Sequence, residues 1–165
     1  KNGKIVYRHI GEGSYKMLES EIKKHLKIDG DSIFSEEPVY SKIPAVYCGK
    51  RKKGTIIDFK KIKKHKLKFG AVYANGKYAQ KDEFLEICSN ASITLLAKGS
   101  MANFVAQSLN GKKVKVEVRI NDRLIKKMPI ANPRLYKIVR LGKNNKSVLK
   151  LTAKSRLAVY SFPFQ

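Results

Sequence analysis

Val114-Lys115-Val116-Glu117-Val118-Arg119-Ile120 alternates without a break between β-branched apolar residues and charged ones. Successive side chains of a strand point to opposite faces, so the valines and Ile120 share one face and Lys115, Glu117 and Arg119 the other. One face is dry and the other wet, as in an antiparallel sheet packed on one side only. Asn121-Asp122 then turns the chain, which returns through Arg123-Leu124-Ile125.

The same texture continues in both directions. Downstream, residues 135–141, 148–153 and 157–164 read as strands, with a turn at Gly142-Lys143-Asn144-Asn145. Upstream, strands are expected at 45–48, 67–69, 72–74, 77–79, 84–88, 91–98 and 102–106. Gly49 to Gly54 is a basic turn, and Asn75-Gly76 is a hairpin signal. Short strands at steps of about ten residues, with no helices between them, predict a mainly β fold, an antiparallel β-sandwich of jelly-roll type over residues 42–165. Phe104, Tyr136, Phe162 and Phe164 fall beside Val, Leu and Ile and are expected in its core.

The first 28 residues follow another rhythm. Residues 4–10 predict a strand, broken by Gly11-Glu12-Gly13, and Ser14 is placed to cap a helix. Tyr15, Leu18, Ile22 and Leu26 recur at three- and four-residue steps, which predicts one apolar stripe on a helix ending near Lys27. A strand and a helix cannot bury both their faces alone, so this unit is expected to pack on something else. Residues 29–41, with Gly30, Pro38 and a local acidic excess, read as a linker. The expected domains are therefore 1–28, 29–41 and 42–165.

Composition narrows the function classes. A 42% hydrophobic content over 165 residues supports a packed core and argues against disorder. No apolar run approaches the roughly 20 residues a spanning helix needs, so the chain is not expected to cross a membrane by a helix. No leader is legible before the first expected strand, and the chain reads as a piece of a longer one. Cys48 and Cys88 stand forty residues apart, which excludes a C-x-x-C redox pair and a local zinc knuckle between them. In an oxidising compartment they could bridge two strands; otherwise they read as two unlinked core cysteines. His9, His25 and His65 have no ligand partner at helical or hairpin spacing, so neither metal nor cofactor is expected. No paired carboxylates, Ser-His-Asp arrangement or phosphate-binding glycine loop stands out, and an enzyme acting through this chain alone is not expected.

With 36 Lys and Arg against 13 Asp and Glu, the formal charge is +23. The densest cluster comprises Lys50, Arg51, Lys52, Lys53, Lys60, Lys61, Lys63, Lys64, Lys66 and Lys68. It reads either as a solvated loop and edge, where lysines block edge-to-edge association, or as a surface for nucleic acid or another polyanion. Aromatic interleaving for stacking on bases is thin, with Phe59 and Phe69 alone in the cluster. Tyr73 and Tyr78, on either side of Asn75-Gly76, are expected to be exposed and are candidates for stacking on a ligand.

Two stretches resemble a known family. Residues 1–15, Lys-Asn-Gly-Lys-Ile-Val-Tyr-Arg-His-Ile-Gly-Glu-Gly-Ser-Tyr, look like the last strand and final helix of a TlpA-like thioredoxin domain. The rest is similar to the C-terminal module of DipZ-type thioredoxin-like proteins. That likeness rests on Tyr47-Cys48-Gly49, on the run from Val114 into Asn121-Asp122-Arg123, and on Tyr160, Phe162 and Phe164, which match a closing Tyr-x-Phe-x-Phe pattern. The family's C-x-x-C motif has no counterpart here, and Phe69-Gly70-Ala71-Val72-Tyr73 stands where a tryptophan is usual. The resemblance implies an extracytoplasmic thiol–disulfide protein carrying a carbohydrate-binding-like jelly roll. This chain would be its non-catalytic accessory module, with a glycan, a protein partner and the adjoining thioredoxin-like domain as partners. A basic nucleic-acid or polyanion binder is the alternative.

Overall fold

The computed structural model describes residues 3–8, 15–31, 42–61, 66–141 and 146–165. The chain divides into two compact units, Lys1–Tyr40 and Ser41–Gln165. In the first, the helix stripe is realised as α1, Tyr15–Leu26. Its end is a Schellman arrangement: Lys27 takes a left-handed φ of 54° and the Ile28 N–H donates to the Lys23 carbonyl at 3.1 Å. The Lys23 ammonium salt-bridges Glu19 at 3.0 Å and donates to the carbonyls of Gly30 and Asp31. Residues 4–8, expected as a strand, form none. A strand needs a neighbour to pair with, and apolar alternation alone does not supply one. His9, Ile10 and the Ser14 cap lie outside the described residues, as do 32–41 of the linker.

The second unit is mainly β, a sandwich of two sheets. Its strands are β1 (Val46–Tyr47), β2 (Thr55–Asp58), β3 (Ala71–Asn75), β4 (Tyr78–Gln80), β5 (Leu85–Ile87), β6 (Ser92–Ala97), β7 (Met101–Ser108), β8 (Val114–Ile120), β9 (Arg123–Ile130), β10 (Arg134–Arg140), β11 (Ser147–Ala153) and β12 (Leu157–Phe162). The first sheet runs β10-β7-β12-β5-β4, with β1 also paired to β12. The second runs β2-β3-β6-β11-β8-β9.

The alternating segment behaves as its pattern demands. Val114, Val116 and Val118 are buried in the shared core, while Lys115 is exposed and Glu117 and Arg119 are half-buried on the opposite face. Leu149, Leu151 and Ala153 of β11 and Ile93, Leu95 and Ala97 of β6 extend the dry face, and Phe104, Tyr136, Phe162 and Phe164 fill it from the first sheet. Asn121 and Asp122 both have positive φ, 50° and 67°, the primed turn whose twist suits a two-residue hairpin.

Three expectations need correction. Residues 67–69, expected as a strand, form none, and 55–58, to which no strand was assigned, form β2. Pairing is not wholly antiparallel, because β2 lies parallel to β3, with Thr55 opposite Ala71 and Asp58 opposite Ala74. A parallel pair needs a long connection that passes over the sheet. Finally, Asn75-Gly76 turns the chain, with Gly76 at φ 93°, but makes no hairpin. β3 pairs within the second sheet and β4 pairs with β5 in the first, so this turn is a corner between layers. The Gly142–Asn145 turn lies outside the described residues.

Candidate functional site: a cleft on the outer face of one sheet

Registers place Tyr73, Thr94, Lys150 and Arg119 opposite one another in a row across β3, β6, β11 and β8. Each lies on the face turned away from the core. Such a face is normally open to water, yet Tyr73 is 1% exposed and Thr94 5%. The described flanks of the β2–β3 connection account for this, since Phe59 and Leu67 border the same face as Thr94. The Lys68 N–H donates to the Tyr73 hydroxyl at 2.8 Å. Tyr73, expected as an exposed stacking ring, is therefore a buried residue whose hydroxyl is held by the backbone just before β3. Tyr78 is half-buried and packs against the core.

On this face lies a cleft of about 430 Å³. Thr94, Val148 and Lys150 contribute from the strands, Phe59 and Leu67 from the connection, and Asn121 and Asp122 from the β8–β9 turn. That turn is held firmly. The Asn121 amide oxygen accepts from the Val148 N–H at 2.9 Å, the Asn121 N–H donates to the Val148 carbonyl at 2.9 Å, and the Arg119 guanidinium donates to the Asp122 carbonyl at 3.0 Å. The volume lies within the roughly 300–1,000 Å³ typical of small-ligand sites, and an apolar side faces a few converging polar groups. Among the described lining residues Asp122 is the sole carboxylate. Glycoside hydrolysis in its usual form needs a pair.

The basic cluster is split by β2. Lys50, Arg51, Lys52 and Lys53 form a tight turn closed by a Gly54 N–H donating to the Gly49 carbonyl at 3.0 Å, with Lys53 at φ 53°. Arg51 pairs with Glu83 at 2.6 Å, and the Lys52 ammonium lies 5.9 Å from the centre of the Tyr47 ring. Lys60, Lys61, Lys66 and Lys68 are exposed along the β2–β3 connection, whereas Lys63, Lys64 and His65 lie outside the described residues. Sequence reading found Phe59 only as a sparse aromatic and Asn121-Asp122 only as a turn. Thr94, Val148 and Lys150 carried no signal beyond strand alternation.

Both cysteines are free thiols, Cys48 fully buried and Cys88 half-buried. Burial drives the Cys48 thiol's ionisation far above its ordinary range, so the nucleophilic thiolate is strongly disfavoured. Iodoacetamide at pH 8 is expected to leave Cys48 unmodified in the native chain and to alkylate both thiols in guanidinium. Native labelling of Cys48 at the unfolded-state rate, read by peptide mass spectrometry, would contradict this burial.

A search of curated protein sequences found no match. Solved structures match in fold. A family two carbohydrate esterase from Clostridium thermocellum in complex with cellohexaose aligns at a TM-score of 0.51 and 13% identity, over 58% of this chain and 31% of that one. An active-site mutant of such an esterase from the same organism gives 0.52 and 14% over the same shares. The chain thus spans about a third of the length of these esterases. A carbohydrate-binding module, CBM36, in complex with calcium and xylotriose aligns at 0.43 and 16%, over 63% of this chain and 98% of that one. Among the described residues no helix is long and apolar enough to cross a membrane. The model of the thioredoxin-like C-terminal domain matches residues 46–164, nearly the whole second unit, and the chain belongs to that family.

Proposed function

We propose that the Ser41–Gln165 unit is a non-catalytic binding module that holds a glycan in the outer-face cleft, and that it serves an adjoining thioredoxin-like thiol–disulfide oxidoreductase domain outside the cytoplasm. The observation that carries this reading is the composition of the cleft. Phe59 and Leu67 offer an apolar border, while Thr94, Asn121, Asp122 and Lys150 offer donors and acceptors. A sugar ring has the matching character, apolar C–H faces and a hydroxyl rim. The family supports the oxidoreductase context, and two buried or half-buried thiols forty residues apart fit a supporting role better than a redox one.

Titration of the isotopically labelled chain with cellohexaose and xylo-oligosaccharides tests the glycan. Amide shifts are expected at Thr94, Asn121 and Val148, and Phe59→Ala is expected to weaken binding about tenfold, since an aromatic contact contributes roughly 0.5–1.5 kcal/mol beyond its area. Heparin serves as the second arm. Binding to heparin that falls steeply with salt and ignores Phe59→Ala would favour the polyanion alternative. Saturating sugar concentrations that leave those amides unmoved would end the glycan reading.

A further inference from the structure

At one end of the sandwich the chain crosses between the sheets twice, from β7 to β8 through residues 109–113 and from β9 to β10 through 131–133. The Ser108 N–H donates to the Ala131 carbonyl at 2.9 Å and ties the end of β7 to the second crossing. Between them lies a pocket of about 270 Å³ bordered by Lys113, Pro129, Ala131, Asn132, Arg134 and Tyr136. None of its residues lines the outer-face cleft.

We propose that this pocket is an oxyanion-binding site for a sulfate or phosphate group. Its floor is fixed by Tyr136, 5% exposed, whose hydroxyl accepts from the Ala131 N–H at 3.1 Å and donates to the Asn132 carbonyl at 2.7 Å. The Arg134 guanidinium lies 4.8 Å from the centre of the same ring. A guanidinium held over the ring is ordered in advance, and its N–H groups can take two oxygens of one anion. Lys113 adds a second positive charge, and among the described residues no Asp or Glu borders the pocket. Neither cation makes a salt bridge among the described residues. Two like charges facing one concavity repel, and an anion between them turns that repulsion into attraction. The +23 of the whole chain raises the local anion concentration further. The volume admits a tetrahedral oxyanion with some of its water, whereas an oligosaccharide chain needs more room. A sulfated sugar would present the same group on its end, so the chemistry allows either a free ion or a glycan-borne one.

The test uses the full chain at constant ionic strength, with sulfate, phosphate and chloride added in turn, followed by a heparin-derived disaccharide. Sulfate and phosphate are expected to shift the Lys113, Asn132 and Arg134 amides saturably, and chloride is not. Lys113→Gln and Arg134→Gln are each expected to lower the affinity at least fivefold, and the double variant to abolish it. Lys137→Gln, a lysine exposed on β10 outside the pocket, is expected to leave it unchanged. A disaccharide binding at least tenfold more tightly than free sulfate, with the same loss in the double variant, identifies a glycan-borne group. Equal affinities identify the free ion. Responses that stay linear, that chloride reproduces, or that survive in the double variant overturn the proposal. The outer-face cleft can fail its own test without moving any of these amides.

Discussion

Val118→Lys is expected to leave the chain without a folded sandwich at 25 °C. Val118 is fully buried on β8, a strand with β11 on one side and β9 on the other, opposite Leu151 and Lys126. The new ammonium would start from the core face with no route to water along an edge. Its cross-strand neighbour Lys126 already spends its ammonium on the Lys137 carbonyl at 3.0 Å, so the site offers a like charge instead of a partner. An unpaired buried charge costs several kcal/mol, against a total stability of about 5–15 kcal/mol for a domain of this kind. Loss of amide dispersion and of far-ultraviolet strand signal is the expected readout. Lys115→Val, three residues earlier on the exposed face, is expected to change stability by less than about 0.5 kcal/mol. A native spectrum from Val118→Lys would mean that the faces of β8 have been assigned backwards.

The contrast between those two positions shows what was legible and why. Alternation is a local property, and wherever one face is buried it forces the register, so 114–120 and its Asn121-Asp122 turn could be read directly. The aromatic residues Phe104, Tyr136, Phe162 and Phe164 were legible for the same reason, each sitting among aliphatic strand residues and each now buried. Pairing partners are not local. Asn75-Gly76 has the chemistry of a hairpin turn, and nothing in those two residues says that the next strand joins the opposite sheet. Thr55-Ile56-Ile57-Asp58 has no alternation to betray a strand, because β2 sits at an edge in a parallel pair. Both misreadings propagate to the site. The residues that flank β2 and β3 bring Phe59 and Leu67 to the cleft and the Lys68 N–H onto the Tyr73 hydroxyl, and neither consequence can be seen from the residues themselves. The basic cluster was visible in composition alone, which is why it outweighed seven lining residues drawn from five separate stretches of the sequence. The anion pocket was hidden likewise, since Lys113 ends the β7–β8 crossing and Arg134 opens β10, twenty-one residues later.

Phe104→Ala is expected to destabilise the sandwich by about 3–5 kcal/mol, the usual cost of removing a buried aromatic ring. Phe104 is fully buried on β7, the strand that pairs with both β10 and β12. Its ring centre lies 5.7 Å from that of Tyr136 and 6.1 Å, nearly parallel, from that of Phe162. These neighbours come from the two flanking strands, so the cavity would open between backbones held by ladder hydrogen bonds and could close only in part. With a urea slope of about 1–3 kcal/mol per molar, the unfolding midpoint should fall by roughly 1–5 M. Leu135→Ala is the comparison: its side chain is 47% exposed on adjacent β10 and should cost under about 1 kcal/mol. The functional consequence should be uneven. Phe104 supports the ring of Tyr136, whose hydroxyl holds the 131–132 bend and whose face carries Arg134, so sulfate affinity in the folded variant should drop. The outer-face cleft draws its lining from the other sheet, its β2–β3 connection and its β8–β9 turn, and should keep its ligand. A variant as stable as the parent would show that these three rings do not form the continuous packing on which the first sheet depends.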